Sequence, residues 1–419
     1  MSALTAVMKA ESELLLRTYD RNQVLFRNGR GCYLYDDQGR RYLDFLSGIG
    51  VNALGYNHPA IRKVLREQAA RLIHISNLFY HEHQAELARK LTRISGLDRV
   101  FFCNSGTEAI EGALKLARAH ARAANRNGHR ASWRILALEN SFHGRTFGSL
   151  AATSTKKYRE PFGPLVPGVR FVRANDVADL ERKFDSSVCA VLLEPVQGEG
   201  GINPLSSAFL KRARQLTRAA GAALIADEIQ CGLGRTGRWF AYQHVGLKPD
   251  IVTVAKPLAA GLPLGAILAT EEFAGCITPG LHGTTFGGGP LACAVAIAVL
   301  ETIEREGLLP HVNRIGAYLL AALKKLQSRQ SLVREVRAMG VMAALELTSS
   351  DAAKFAVTEC LRRGVIINRT HDVVLRLLPP FIIERKHVDR LVSILDEVFS
   401  DWAANQTHST ARRQADGRN

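Results

Sequence analysis

Short apolar runs recur through the middle of the chain: RVFFC (99 to 103), RILAL (134 to 138), VRFV (169 to 172), AVLLEPV (190 to 196), ALIAD (223 to 227), DIVTVA (250 to 255) and GAILA (265 to 269). Between several of them, stretches such as EAIEGALKLARAHARAA (108 to 124) and SSAFLKRARQLTRAAG (206 to 221) place an apolar residue every three or four positions, the period of a helix with one buried face. Strands buried on both faces read as continuously apolar, so this alternation predicts an α/β fold with a mostly parallel central sheet and helices on both faces. Ligands of such a sheet gather at the carboxyl ends of its strands. Outside this core the pattern changes. GCYLYDDQGRRYLDF (31 to 45) reads as a hairpin turning at Asp37 to Gly39. Beyond about residue 305 come a helical stretch (309 to 328), strands near 332 to 347 and 373 to 378, and a final helix (386 to 404). The expected organisation is a large domain over 56 to 305 and a smaller α+β domain built from both chain ends, 1 to 55 with 306 to 404. Residues 405 to 419, polar and arginine-rich, are expected to form a disordered tail.

Composition narrows the function. With 47% hydrophobic and 22% charged residues in 419, the chain can fill a large core. The formal charge of +16 is spread along the chain with no block of five or six basic residues, which reads as a solvated surface rather than a nucleic-acid face. Anionic substrates and a phosphorylated cofactor would gain from the same field. Seven cysteines, odd in number and in no CxxC spacing, point to reduced thiols and no metal site. Lys9, Glu11 and Glu13 break the first apolar residues, and no run approaches the length of a membrane span, so a soluble cytoplasmic protein without a membrane partner is expected.

Chemistry is concentrated where apolar runs end. Lys256 follows DIVTVA, and Asp227 with Glu228 closes ALIADE. Together they offer what pyridoxal phosphate requires: an amine for the aldehyde and a carboxylate for the ring nitrogen. At about 4 Å and an effective dielectric near 20, such a carboxylate holds a protonated ring nitrogen by roughly 4 kcal/mol, about three pKa units. A protonated ring is the electron sink of this cofactor. An amine at Lys256 can bond the aldehyde and, once released, move a proton between substrate carbon and cofactor; a lysine snorkelling from a strand end is the plainer reading. CNSGTEA (103 to 109) runs from a strand through Ser105, Gly106 and Thr107 into a helix, a place for a phosphate or simply a capped helix start with Glu108 in its first turn. In ENSFHGRT (139 to 146), Phe142 could stack on a flat ring and Arg145 could grip a carboxylate, or the two could be an ordinary core phenylalanine and surface arginine. The glycines 232, 234 and 237 spell GxGxxG, but Asp227 to Gln230 separate them from the strand and no helix pattern follows, so they do not read as a dinucleotide fingerprint. In LHGTTFGGG (281 to 289), Thr284 and Thr285 could serve a phosphate or a substrate, or bond their own backbone.

These segments in this order, with YLDFLSGIGVNALGYNHP (42 to 59), EPVQGEGG (194 to 201), DEIQCGLGRTG (227 to 237) and LRLLPP (375 to 380), resemble the class III aminotransferases of pyridoxal-phosphate fold type I over about residues 15 to 400, most nearly their acetylornithine group. The resemblance implies a role for each residue. Gly106 and Thr107, beside Ser105, hold the cofactor phosphate. Phe142 and Ile229 flank the ring, Asp227 pairs with its nitrogen, Gln230 bonds its oxygen and Lys256 is the covalent lysine. Thr285 completes the phosphate site from a neighbouring subunit, with Thr284 near the substrate, so a homodimer with shared sites is implied. Arg145 clamps the distal carboxylate, and Glu199 neutralises Arg376 until the α-carboxylate of glutamate takes its place.

The implied reaction moves the δ-amino group of N2-acetyl-L-ornithine to 2-oxoglutarate. GIGVNALG (48 to 55) lacks the tyrosine with which ornithine enzymes contact a free α-amine, which favours an acylated donor. Ornithine, succinylornithine, N-succinyl-diaminopimelate, a lysine-pathway amine and 4-aminobutyrate remain alternatives. Ile110 and Gly289 stand where the family commonly has asparagine, Glu335 and Ala344 where it has glycine, and AKPLAAGLP (255 to 263) is poorer in glycine than usual. None of these removes a catalytic group. A non-catalytic descendant would be expected to lose Lys256, Asp227 or Arg145, and all three are present.

Overall fold

The computed structural model describes residues 2 to 124 and 132 to 416, with side chains to 406. Seven strands form the central sheet: β1 (Arg99–Cys103), β2 (Arg134–Leu138), β3 (Val169–Val172), β4 (Val188–Leu193), β5 (Ala223–Asp227), β6 (Ile251–Val254) and β7 (Gly265–Ala269). Their order is β1-β7-β6-β5-β4-β2-β3. β2 pairs in parallel with β3 and β4, β4 with β5, and β5 with β6, whereas β7 runs antiparallel to both β6 and β1. Six strands therefore point the same way and end along one edge.

Every residue of β4, β5, β6 and β7 is buried, which is why the sequence shows runs rather than alternation there. The two faces nevertheless sort by parity. Ala223 and Ile225 of β5 pack with Ala109, Ile110 and Ala113 of the helix Gly106–Ala124, while Leu224 and Ala226 join the opposite layer with Phe209 and Val295.

Both chain ends meet beside this core. The hairpin Tyr33–Asp36 and Arg41–Asp44 forms around residues 37 to 40, and Val365–Ile366 adds in parallel to its second strand. A four-stranded antiparallel sheet orders Val333–Met339, Met342–Leu347, Val374–Leu377 and Asn368–Thr370. Helices also lie where the pattern predicts none, among them Ala3–Leu14, none of whose residues is buried, Pro59–Ala69, Glu82–Ser95 and Ser350–Arg362. The final helix runs Arg385–Asp416, so residues 405 to 416 continue it instead of forming the expected disordered tail. Ala403, Ala404, Gln406 and Ala411 are good helix formers, and no glycine or proline intervenes before Gly417. Residues 417 to 419 lie outside the described residues. Among the described residues no helix is long and apolar enough to cross a membrane.

Candidate active site

The ends of β1, β2, β4, β5 and β6 meet over a cavity of about 420 Å3, closed on the far side by residues 261 to 264 leading into β7. One corner is made by the turn from β1 into the helix Gly106–Ala124. Ser105 Oγ accepts the Glu108 N–H (3.2 Å), the Ser105 carbonyl accepts that of Ala109 (3.1 Å), and Glu108 reaches back to the Asn104 N–H (2.7 Å). The helix cap is thus real, and it leaves the Gly106 and Thr107 N–H groups to face a ligand. Thr107 Oγ1 lies 2.6 Å from Ser149 Oγ and 2.8 Å from Thr146 Oγ1, and Thr146 donates to Glu111 (2.5 Å). Gly144, at φ 138°, makes room for this hydroxyl cluster, since a Cβ there would stand 2.3 Å from Thr107 Oγ1 and 2.5 Å from Ser149 Oγ.

The acidic pair divides its labour. Asp227 is buried, with Oδ2 2.7 Å from His143 Nδ1 and Oδ1 accepting from the Ile229 N–H (3.1 Å) and Thr253 Oγ1 (3.2 Å). Glu228 turns away from the cavity and accepts the N–H groups of Ala241 (2.9 Å) and Tyr242 (2.8 Å), while burial pushes its carboxyl up to about 7. Lys256 enters the cavity half-buried. Burial pushes its amine below the usual lysine range, against the pull of the Glu199 and Asp227 carboxylates. Phe142 and Ile229 are both wall residues, and Ile229 sits tightly enough on Gly106 that a Cβ there would lie 2.8 Å from its Cδ1.

A second ionic centre lies at the rim. Arg376, buried in Val374–Leu377, holds Glu199 at 2.5 Å and keeps Nη1 within 3.4 Å of Gln230 Oε1. Burial raises the Glu199 carboxyl, but the Arg376 charge and hydrogen bond outweigh it and hold it below its ordinary range. Arg145 is exposed at the opposite lip, its guanidinium 3.7 Å over the Tyr158 ring and 5.5 Å from that of Phe142.

The cavity gathers eleven expected residues: Ser105, Gly106, Thr107, Phe142, Arg145, Glu199, Asp227, Ile229, Gln230, Lys256 and, through its ion pair with Glu199, Arg376. It excludes two. Thr284 and Thr285 line a neighbouring cavity of about 770 Å3, so the expectation of Thr284 near the substrate is not met within one chain; its Oγ1 reaches the site only through Asn104 Nδ2 (3.1 Å). Thr285 is exposed. Three residues join unannounced: His143 under Asp227, Tyr158 under Arg145, and Glu194, whose carboxylate accepts the N–H groups of Phe142 (3.2 Å) and Gly198 (3.3 Å). Burial pushes Glu194 up to about 7.

This donor set fits pyridoxal phosphate. Free N–H groups at a helix start suit a dianionic phosphate, apolar walls suit a ring, a buried carboxylate held in place by an imidazole, a hydroxyl and a backbone N–H suits a pyridinium, and an amine of lowered basicity suits an aldehyde.

The sequence of residues 16 to 399 matches the family described as aminotransferase class-III. Among curated relatives, the chain is 45% identical to the acetylornithine aminotransferase of Aquifex aeolicus, covering 92% of this chain and 99% of that one, and 45% identical to that of Methanocaldococcus jannaschii, covering 93% and 97%. Among solved structures, the ornithine aminotransferase of Toxoplasma gondii superposes with a TM-score of 0.92 at 32% identity over 97% of each chain, and the acetylornithine aminotransferase of Elizabethkingia anophelis with 0.85 at 31% over 96% and 100%. Fold, strand-end chemistry and these likenesses agree, and the chain belongs to the class III aminotransferases, enzymes that work with pyridoxal phosphate.

Proposed function

We propose that the protein is an acetylornithine aminotransferase: it moves the δ-amino group of N2-acetyl-L-ornithine to 2-oxoglutarate, giving N-acetyl-L-glutamate 5-semialdehyde and L-glutamate, a step of arginine synthesis in the cytoplasm. The observation that carries this reading is the Glu199–Arg376 pair at 2.5 Å, on the rim of the cavity that also holds Lys256 and Arg145. Two cationic anchors, one of them closed by an internal carboxylate, suit a pocket that must accept a terminal amine and then an α-amino acid.

Gly106 and Thr107 bind the cofactor phosphate through their N–H groups, beside Ser105. Phe142 and Ile229 would confine the ring, Asp227 would hold its nitrogen protonated, and Gln230 would bond its oxygen. When bound, pyridoxal phosphate supplies the electron sink that lets a substrate carbon release its proton. Lys256 Nζ, made less basic by burial, would take that proton from the substrate carbon and return it to the cofactor carbon on the other side of the transferred nitrogen. Arg145 grips the donor's carboxylate, its guanidinium plane fixed by Tyr158. During this half-reaction Glu199 keeps Arg376 neutralised. A buried guanidinium stripped of its partner would be destabilised by roughly 3–5 kcal/mol, so Glu199 leaves only as the 2-oxoglutarate carboxylate arrives.

A homodimer accounts for Thr285. It is exposed beside Leu78, Tyr80, Leu281 and Phe286, all exposed apolar side chains, and from a second copy it would complete the phosphate corner. The division into domains near residues 55 and 305 belongs to the same reading. The acylated donor is favoured by Val51, an apolar side chain lining the cavity where a free α-amine would need a polar partner. Steady-state kinetics with 2-oxoglutarate against N2-acetylornithine, N2-succinylornithine, N-succinyl-diaminopimelate, ornithine and 4-aminobutyrate test the assignment. The highest kcat/KM is expected for acetylornithine; a clear preference for free ornithine would overturn it.

A further inference from the structure

We infer that the short strand Asn368–Thr370 sets the balance between the two substrates, with Thr370 holding the closed state of the Glu199–Arg376 pair and Asn368 holding the open one. The inference rests on the proposed exchange of Glu199 for a substrate carboxylate. It assigns positioning roles to two residues that touch neither substrate nor cofactor.

The geometry follows from strand periodicity. Asn368 and Thr370 are two residues apart and so face the same side of the strand. Asn368 pairs across the ladder with Arg376, and Thr370 with Val374. From that common face Asn368 Oδ1 accepts from Arg376 Nε (3.2 Å), while Thr370 Oγ1 donates to the Glu199 carbonyl (2.6 Å) and lies 3.4 Å from Glu199 Oε2. One strand therefore grips both members of the ion pair, each by a different atom from the one used in the pair itself. The register is fixed by a three-residue loop, residues 371 to 373, in which His371 and Asp372 are both at positive φ (46° and 57°).

The two grips act at different stages. Thr370 anchors the Glu199 backbone, so that carboxylate comes back to Arg376 by side-chain rotation after each turnover. Glu199 is the mobile member, about a third exposed, whereas Arg376 is 1% exposed. Once Glu199 has left, Asn368 still holds Arg376 at Nε, which keeps its Nη1 directed at the cavity for the incoming carboxylate. Loss of Thr370 weakens closure, and loss of Asn368 weakens capture of 2-oxoglutarate. The two losses therefore move the donor-to-acceptor preference in opposite directions.

The test measures the two half-reactions separately by single-turnover absorbance of the holoenzyme, together with KM for each substrate, in Thr370→Val, Thr370→Ala, Thr370→Ser and Asn368→Ala. Hydrogen bonds of this kind predict that Thr370→Val and Thr370→Ala lower the ratio of kcat/KM for acetylornithine to that for 2-oxoglutarate by about 3- to 10-fold, with Thr370→Ser restoring it. Asn368→Ala is expected to raise that ratio by about 10-fold through KM for 2-oxoglutarate, with kcat of the donor half-reaction little changed. Equal losses in both half-reactions, or ratios within twofold of the parent, would overturn the inference. Glu199→Gln separates the two levels. If it shifts the ratio while the strand variants do not, the exchange stands and the strand's role falls; if it too leaves the ratio unmoved, the exchange fails and takes this inference with it.

Discussion

Replacing Glu228 by glutamine should flatten the dependence of folding stability on pH. Its carboxyl is buried at the root of the loop that follows β5, accepts two backbone N–H bonds from Ala241 and Tyr242, and lies 3.3 Å from Cys231 Sγ. Burial, its largest influence, raises the folded-state pKa to about 7 from 4.5. Below the lower value both folded and unfolded chains carry the proton, and the contribution to stability is complete. As pH climbs between the two values the unfolded chain ionises first and the folded one resists, so stability falls. Above the folded value the loss is finished, and it amounts to about 3 kcal/mol for a displacement of this size. Glu228→Gln removes this titration. Its amide can still accept one of the two N–H bonds but sets an N–H against the other, an offset of about 1–3 kcal/mol that does not vary with pH. Urea unfolding of the cofactor-free protein from pH 5 to 8 reads slope and offset separately. The parent curve should decline more steeply than that of the variant. Parallel curves would refute the argument, whatever their vertical separation.

Gly144→Ala, which drives a methyl onto Thr107 Oγ1 and Ser149 Oγ, should weaken cofactor binding by about tenfold or more, read by fluorescence titration of the apoenzyme; an unchanged Kd would show that the hydroxyl cluster does not serve the phosphate. Tyr158→Leu removes the ring beneath Arg145 and should raise KM for the amine donor by about 2- to 30-fold with kcat nearly constant, a pattern that steady-state kinetics resolves. Lys256→Ala should abolish both turnover and the borohydride-fixed mass of cofactor on the chain, and an adduct found on another lysine would relocate the chemistry.

What was legible in the sequence is what sits at a strand end and breaks an apolar run. Asp227 and Lys256 each follow five buried positions, so their polarity stands out against the pattern. Glu194 carries the same signal, as the acid that closes AVLLE, and the rule that picks out Asp227 also picks it out. His143 is different. It lies inside a motif whose flanking Phe142 and Arg145 have obvious uses, and its partner is 84 residues away. Tyr158 and Thr370 act through contacts that no local spacing encodes, and Asn368 depends on the register of a three-residue strand. The direction of β7 was equally hidden, because GAILA reads alike both ways. The one hint is the ten-residue link from β6, 255 to 264, which is short for a parallel crossover and carries no helical period.

That reversed strand has a consequence for how the molecule comes into being. β7 separates β1 from the rest of the sheet, so residues 99 to 103 have no strand to pair with until residue 269 has been synthesised. The ribosome extends a chain at about 5–20 residues per second, so a nascent protein spends roughly 10 to 30 seconds with its first strand unmatched. The phosphate pocket, carried on that strand's end, accordingly cannot set before the closing strand is in place. Vitamin B6 can secure it only after residue 269 of 419 has been made, and by mass action it then favours those molecules in which the closing strand has slotted home.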